Sequence, residues 1–375
     1  MRRRSATPLA VFLCIAAALA QADERAPRPV LRVGTSGDYA PFSKAGQGFD
    51  VDAARLLADA LGFELVRVPF KWPELEARVA RGDFDIAMSG VTWRPERALV
   101  GRMSLAVAIG GPCWLGAAAP KSVAVNRGGA LERFARAHFP NARVETVNEN
   151  LSLPSLLASG AVEAIVTDSF ELGAFSKAGD SKHCEPARDR KVWWLAPARA
   201  AELGPALDPL VRAREPELEK LRLKWFGSAQ PQDEADRVVD LIARRFAFMP
   251  SVGAWKRAHS RPIADPDQEK RVLDGVTKSA RGLGLDPAAV RALFALEIEL
   301  AKRIQIRAAG GAAELDLETQ LRPALADLSD RQLESLSLLG PVASRALDAP
   351  TLEPLRELLE PDEIAERVRA LSRIR

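Results

Sequence analysis

The chain has 375 residues, with 53 Lys and Arg against 50 Asp and Glu, and no basic block. That length exceeds one typical core and implies two domains, while the balanced charge excludes the electrostatic footprint of a nucleic-acid binder. Met1-Arg-Arg-Arg4, the apolar run Leu9 to Leu19 and the small residues Ala18 to Ala22 have the form of a secretory signal peptide, so residues 1–22 are expected to be removed. The apolar run is too short for a bilayer, and no later stretch reaches about 18 apolar residues, so a stable membrane anchor is not expected. Cys14 falls inside the signal, preceded by Leu13 rather than a small residue. Cys113 and Cys184 remain in an oxidising setting, where a pair is most simply a disulfide, adding roughly 3–5 kcal/mol by loop closure. His138, His183 and His259 are scattered without ligand spacing, so neither a metal nor a cofactor is expected.

From residue 30 to 227, short alternating strands take turns with helical runs. Leu31–Thr35, Phe63–Val68 and Phe84–Met88 read as strands, with helices over 53–61 and toward Arg81 between them. The pattern repeats after Cys113, with strands over 122–125, 143–147 and 164–167 and helices over 130–138 and 152–159. Lys191–Leu195 returns as a strand and Asp208–Phe226 closes as a helix. Strands alternating with helices at this length predict an α/β architecture of doubly wound lobes.

Gly37-Asp-Tyr-x-Pro-Phe42, Gly48-Phe-Asp-Val-Asp52, Gly82-x-Phe-Asp85 and Thr92-x-x-x-Glu-Arg97 make residues 28–227 resemble the periplasmic amino-acid solute-binding proteins. That resemblance implies one lobe over about 30–108 and 198–227, a second over about 109–197, and a ligand between them. Lys71-Trp-Pro73, Ala87-Met-Ser-Gly90, Phe134-Ala-Arg-Ala137 and Thr167-Asp-x-x-Glu171 look most like cyclohexadienyl dehydratase, an enzyme on the same scaffold. Cys113 and Cys184 fall where its paired cysteines do. The likeness implies Arg97 as a carboxylate clamp, because guanidinium binds carboxylate as a bidentate fork, with Thr92 donating to the same group. It also implies Glu171 as the acid that protonates a departing hydroxide, with Trp72 desolvating it and raising its pKa. One departure weakens the likeness: Ala130 and Leu131 stand where the family carries Thr and Asn, so two directed donors are lost, at roughly 1.5–3 kcal/mol each.

Ser228–Gln232 is a polar linker, and strand signals vanish beyond it. Helices are expected over 233–259, 266–282, 287–309, 316–339 and 350–373, with Asp265-Pro266 and Asp286-Pro287 as N-cap and first-turn pairs. Residues 233–375 are thus expected to form an all-α domain. Arg245 and Lys256 lie eleven residues apart, three helical turns, on the edge of an apolar face; Pro250 between them is expected to kink the helix.

The run Arg245 to Lys256 followed by Pro262-Ile-x-Asp265 resembles the secreted, gamma-class chorismate mutases. The likeness implies that Arg245 and Arg322 clamp the substrate carboxylates while Lys256 and Gln305 hydrogen-bond its ether oxygen. A pericyclic rearrangement needs positioning and charge stabilisation but no nucleophile or cofactor, and a neutral amide at 305 donates at any pH. Gln268 stands where the family has Arg and Ala301 where it has a polar residue, each loss costing on the order of 10²-fold in rate. Arg271, one turn on, is a substitute for the missing charge.

The product of a mutase is the substrate of such a dehydratase. The sequence therefore predicts an exported bifunctional enzyme of aromatic amino-acid biosynthesis that takes chorismate to prephenate and on to phenylpyruvate, or arogenate to phenylalanine. The alternative is an amino-acid or aromatic-acid binding protein with a weakened or inactive mutase domain. The partners expected are these small molecules, with no nucleic acid, and a homodimer through the helical domain.

Overall fold

A computed structural model supplies the fold, and the residues it describes are 27–230, 232–308, 311–339, 355–356 and 358–371. The expected signal segment 1–22 and Cys14 lie outside them, as do residue 231 of the expected linker, Ala309 and Gly310 at the end of the expected third helix, and residues 350–354, 357 and 372–373 of the expected last helix.

The first unit is built on two sheets. Its strands are β1 (Val30–Thr35), β2 (Asp38–Tyr39), β3 (Ser43–Lys44), β4 (Glu64–Pro69), β5 (Ile86–Thr92), β6 (Arg102–Met103), β7 (Ala108–Gly110), β8 (Pro112–Gly116), β9 (Ser122–Asn126), β10 (Arg143–Val147), β11 (Ala164–Asp168), β12 (Lys182–Cys184) and β13 (Asp189–Leu195). The first sheet runs β4-β1-β5-β13-β6, with β7 also on β13, and the second runs β10-β9-β11-β8-β12. All seven residues of β5 are buried, as expected of a strand covered on both faces. Helix α1 (Phe49–Leu61) lays Phe49, Ala53, Ala54, Leu57 and Ala58 on the sheet, and Gly62, at φ 73°, ends it in the left-handed conformation that costs glycine nothing. Helices α2 (Leu75–Arg81), α3 (Pro95–Ala98), α4 (Ala130–His138), α5 (Leu153–Ala158) and α6 (Leu172–Phe175) complete the crossovers. Cys113 and Cys184 face each other across β8 and β12 and form a disulfide with Cα atoms 4.1 Å apart.

Two expectations need correction here. The second lobe does not extend to residue 197, because β13 pairs antiparallel with β5 and returns the chain to the first sheet. The strand's sequence allows either sheet; only register selects one. The closing helix is also two helices, α7 (Pro197–Ala213) and α8 (Glu215–Phe226).

The second unit is helical: α9 (Glu234–Ala247), α10 (Met249–Ala258), α11 (Pro266–Leu283), α12 (Pro287–Arg307), α13 (Arg322–Leu338) and α14 (Pro361–Leu371). Asp233 and Asp236 form a reciprocal capping box at the start of α9. The single helix expected over 233–259 breaks at Phe248, and Pro250 falls in the first turn of α10, where its missing N–H costs nothing. Asp265 and Asp286 cap α11 and α12 through the amides of Gln268 and Ala288. A turn of π-helix (Leu317–Leu321), capped by Asp316, feeds α13. The last helix among the described residues begins at Pro361, where proline supplies a natural first turn.

The units are pinned together by charge. Asp208 on α7 is 1% exposed, accepts from the Leu105 amide at 2.9 Å and meets Arg331 Nε of α13 at 2.6 Å. Arg244 donates to the Ser104 carbonyl at 2.8 Å and pairs with Asp240, which also meets Arg190 of β13. Buried ions persist only when paired, so these contacts set the mutual placement of the two units more than they stabilise it. The expected linker is held as well: Arg222 donates to Ala229 O, and Gln230 Oε1 accepts from the Ile109 amide.

Candidate active sites

The first site lies between the two sheets, at the carboxyl ends of β5, β9 and β11. Register places Lys191 directly opposite Thr92 on neighbouring antiparallel strands, so both side chains enter the cleft from one face. The buried Lys191 Nζ donates to Tyr39 Oη at 3.0 Å, Thr92 Oγ1 at 3.2 Å and, across the cleft, Asp168 Oδ2 at 3.0 Å. Those three bonds exhaust an ammonium's donors. Because Thr92 already accepts from Lys191, its own proton is free to point at a ligand. Tyr39 also donates to Asp168.

Glu171 sits at the start of α6, 1% exposed. Its Oε1 accepts from Asn150 Nδ2 at 2.5 Å and its Oε2 from Thr167 Oγ1 at 3.0 Å. Burial, and next the charge of Asp168, push its pKa well above the usual glutamate value; the two hydrogen bonds and Lys191 only partly oppose them. Glu171 therefore holds its proton to a higher pH than an ordinary glutamate does. Trp72 lines the same cleft, and its ring packs against Tyr39, edge-on at 5.7 Å, and Phe70. The residues hydrogen-bonded to Glu171 are Asn150 and Thr167, of the second lobe.

Arg97, expected as a clamp, is 4% exposed and also lines the cleft. Its Nε meets Glu76 at 3.0 Å and its Nη1 donates to the Thr92 carbonyl at 3.1 Å. Ala130 and Leu131 line the opposite wall without a side-chain donor. The free space is only about 60 Å³, far below the roughly 300–1,000 Å³ of ordinary ligand sites. The two connections between the sheets run through Gly110–Pro112 and residues 185–188.

The second site is a cavity of about 410 Å³ inside the helical unit. Arg245, Lys256, Gln305 and Arg322, together with Gln268 and Ala301, all line it, although they come from five helices. The break at Phe248 does not separate Arg245 from Lys256. Helices α10 and α12 touch at Gly253, where a Cβ would stand 2.8 Å from the Gln305 carbonyl; glycine is what lets Gln305 approach. Gln305 Nε2 donates only to Met249 Sδ, at 3.5 Å. A thioether is a weak acceptor, so an ether oxygen competes for that donor easily. Lys256 Nζ donates to the Ile263 carbonyl at 2.6 Å; burial lowers its pKa, and the nearby Asp265 opposes this. Arg322 pairs with Glu318 and with Asp265 Oδ2 at 3.1 Å.

At the position where an arginine was expected, Gln268 Oε1 accepts from Arg271 Nε at 3.0 Å and Nη2 at 2.8 Å, which brings that guanidinium to the cavity rim. Lys302 also faces the cavity, tied to Glu269 at 3.2 Å and Glu299 at 2.7 Å. The sequence reading missed Lys302, although its spacing three before Gln305 puts both on one helix face. It missed Lys191 too, for which no local signal exists. Among the described residues no group of His, Cys, Asp and Glu is arranged to hold a metal ion, and no helix is long and apolar enough to cross a membrane.

Two α/β sheets flanking a narrow cleft, with polar side chains at the strand ends, define a two-lobed binding-protein architecture. The chain belongs to the bacterial extracellular solute-binding proteins, family 3, whose model matches residues 31–228. Residues 233–306 match the model for chorismate mutase type II. Over 161 residues the chain is 35% identical to cyclohexadienyl dehydratase of Pseudomonas aeruginosa, covering 38% of this chain and 60% of that protein. Over 83 residues it is 31% identical to a secreted chorismate mutase of Yersinia pestis, covering 22% and 45%. The chain thus spans about half the length of these curated relatives. A solved structure of an ancestral amino-acid-binding protein, described as a precursor of cyclohexadienyl dehydratase, aligns at 29% identity with a TM-score of 0.48, over 52% of this chain and 95% of that one.

Proposed function

We propose that the protein is an exported bifunctional enzyme whose helical cavity rearranges chorismate to prephenate and whose α/β cleft converts prephenate to phenylpyruvate. The observation that carries the reading is the meeting of Arg245, Lys256, Gln305 and Arg322 on one 410 Å³ cavity. Arg245 and Arg322 hold the two carboxylates. Lys256 and Gln305 stabilise the negative charge that grows on the ether oxygen as its C–O bond breaks and the new C–C bond forms. No proton moves, so the buried, neutral Gln305 serves without titrating.

In the cleft, Arg97 and Thr92 receive a carboxylate, and the protonated Glu171 passes its proton to the departing ring hydroxyl. Water and carbon dioxide leave, and the ring becomes aromatic. Arogenate, which differs by an amine in place of the keto group, gives phenylalanine by the same step. Lys191 on Asp168 supports the keto acid over the amine: with its charge already answered, Asp168 has little left for an ammonium.

One observation favours a second reading. The cleft is nearly filled by its own side chains, and Ala130 and Leu131 offer no donors, which suits a binding protein that holds an aromatic acid without turning it over. Incubation of the purified protein with chorismate separates the cases. Loss of chorismate with phenylpyruvate at neutral pH supports the bifunctional enzyme, prephenate that persists removes the dehydratase step, and unchanged chorismate removes the mutase.

A further inference from the structure

Arg245 does not enter the helical cavity alone. Its Nη1 donates to Glu297 Oε2 on α12 and, at 3.2 Å, to Gln332 Oε1 on α13, while its guanidinium lies 4.9 Å from the centre of the Phe294 ring. The other oxygen of Glu297 accepts from Arg367 on α14 and from Gln332 Nε2 at 2.6 Å. Glu297 is 1% exposed, and Arg367 and Gln332 are fully buried. One carboxylate therefore answers two guanidinium groups in a water-excluded cluster, and Gln332 brings no charge. The rest of the Arg367 head group, Nε and Nη1, finds no acceptor among the described residues. An unanswered charge is poorly tolerated at such a site, and only Arg245 borders open space.

We infer that Arg367 is a positioning residue of the mutase: by sharing Glu297 with Arg245 it keeps that carboxylate from neutralising Arg245, and so leaves one positive charge in excess for a substrate carboxylate. The inference rests on the mutase reading above. Glu297 fixes the orientation of Arg245, and Arg367 fixes how much of its charge remains. Without Arg367 the pair Glu297–Arg245 is neutral and attracts an anion weakly. The effect acts on ground state and transition state alike, because the carboxylate is present in both, so it appears in KM rather than in kcat.

The test measures chorismate kinetics and thermal unfolding of the full protein and of R367M, R367K and E297Q/R367M. R367M is expected to raise KM about tenfold with kcat within about threefold. E297Q/R367M restores a single excess charge on Arg245 and is expected to return KM to within about threefold of the wild type. A purely structural strut predicts the reverse, a double variant at least as impaired as R367M, and that result would overturn the inference. If R367M does not fold, R367K carries the test: it retains the charge and is expected to keep the wild-type KM, and a tenfold rise there is equally fatal. A wild-type protein that leaves chorismate unchanged overturns the mutase reading and this inference with it. Wild-type turnover with an unrepaired KM in the double variant overturns the inference alone.

Discussion

The indole of Trp93 meets the ring of Phe248 nearly perpendicular, with centroids 6.0 Å apart. Trp93 follows Thr92 of the α/β cleft, and Phe248 occupies the break between the helix of Arg245 and the helix of Lys256. Strand alternation explains the arrangement. Thr92 and Lys191 turn to the cleft, while their neighbours Trp93 and Arg190 turn to the helical unit. Arg244 reinforces the joint, its guanidinium 5.4 Å from the Trp93 ring. Phe248 is fully buried, so Phe248→Ala is expected to cost about 3–5 kcal/mol, read as a lower urea midpoint. An unchanged midpoint would mean that the two units do not depend on this contact.

Lys191 and Asp168 hold the two lobes across the cleft, both almost fully buried. Removing one partner strands the other charge. Lys191→Met is expected to lose about 3–5 kcal/mol, and adding Asp168→Asn to recover at least half of that, as measured by chemical unfolding. A double variant no more stable than Lys191→Met would show that the lysine acts through packing, not charge.

Glu171 gives the proposed dehydratase step a direction in pH. Its folded pKa is raised by burial and by Asp168, and the proposed step needs the acid form. Phenylpyruvate formation is therefore expected to fall as pH rises through that raised value, while chorismate loss does not follow it. Glu171→Gln should abolish the second step and spare the first. The same shift sets a stability trend. The unfolded chain releases this proton near 4.5 while the folded one keeps it, so stability declines as pH climbs above 4.5. Glu171→Gln, which cannot ionise, is expected to melt higher than the wild type at pH 7 and to lose that advantage below 4.5. Equal melting curves at both pH values would argue against a buried acid.

The helical cavity lacks one cation at position 268. Gln268→Arg is expected to raise kcat/KM for chorismate by about 10-fold to 10²-fold, unless Arg271, now bonded to Gln268, already supplies that charge; then no gain appears, and Arg271→Met causes the loss instead.

Gln305→Glu offers an independent check on the ether-oxygen donor. A glutamate must be protonated to donate, so the variant's mutase rate is expected to fall as pH rises, whereas the wild-type rate stays flat over the same range. A flat profile in the variant would move Gln305 out of the reaction.

Sequence by itself determined what depends on near neighbours in the chain. Period-2 and period-3.6 patterns marked strands and helices, Asp-Pro pairs marked the starts of α11 and α12, and spaced motifs such as Thr92-x-x-x-Glu-Arg97 carried the family. Arg245, Lys256, Gln305, Arg322, Glu171 and Arg97 stood out as candidates because each sits in a motif, and each lines one of the two cavities. The tertiary structure decided what depends on register and on helix–helix approach. Strand β13 joined the first sheet rather than the second, and that pairing alone brought Lys191 opposite Thr92. Glu297, Gln332 and Arg367 meet around Arg245 from three helices up to 70 residues apart, and nothing local marks any of them. Chain spacing gives the face on which a side chain stands; which charge it faces across a water-free gap is set only when the helices have packed.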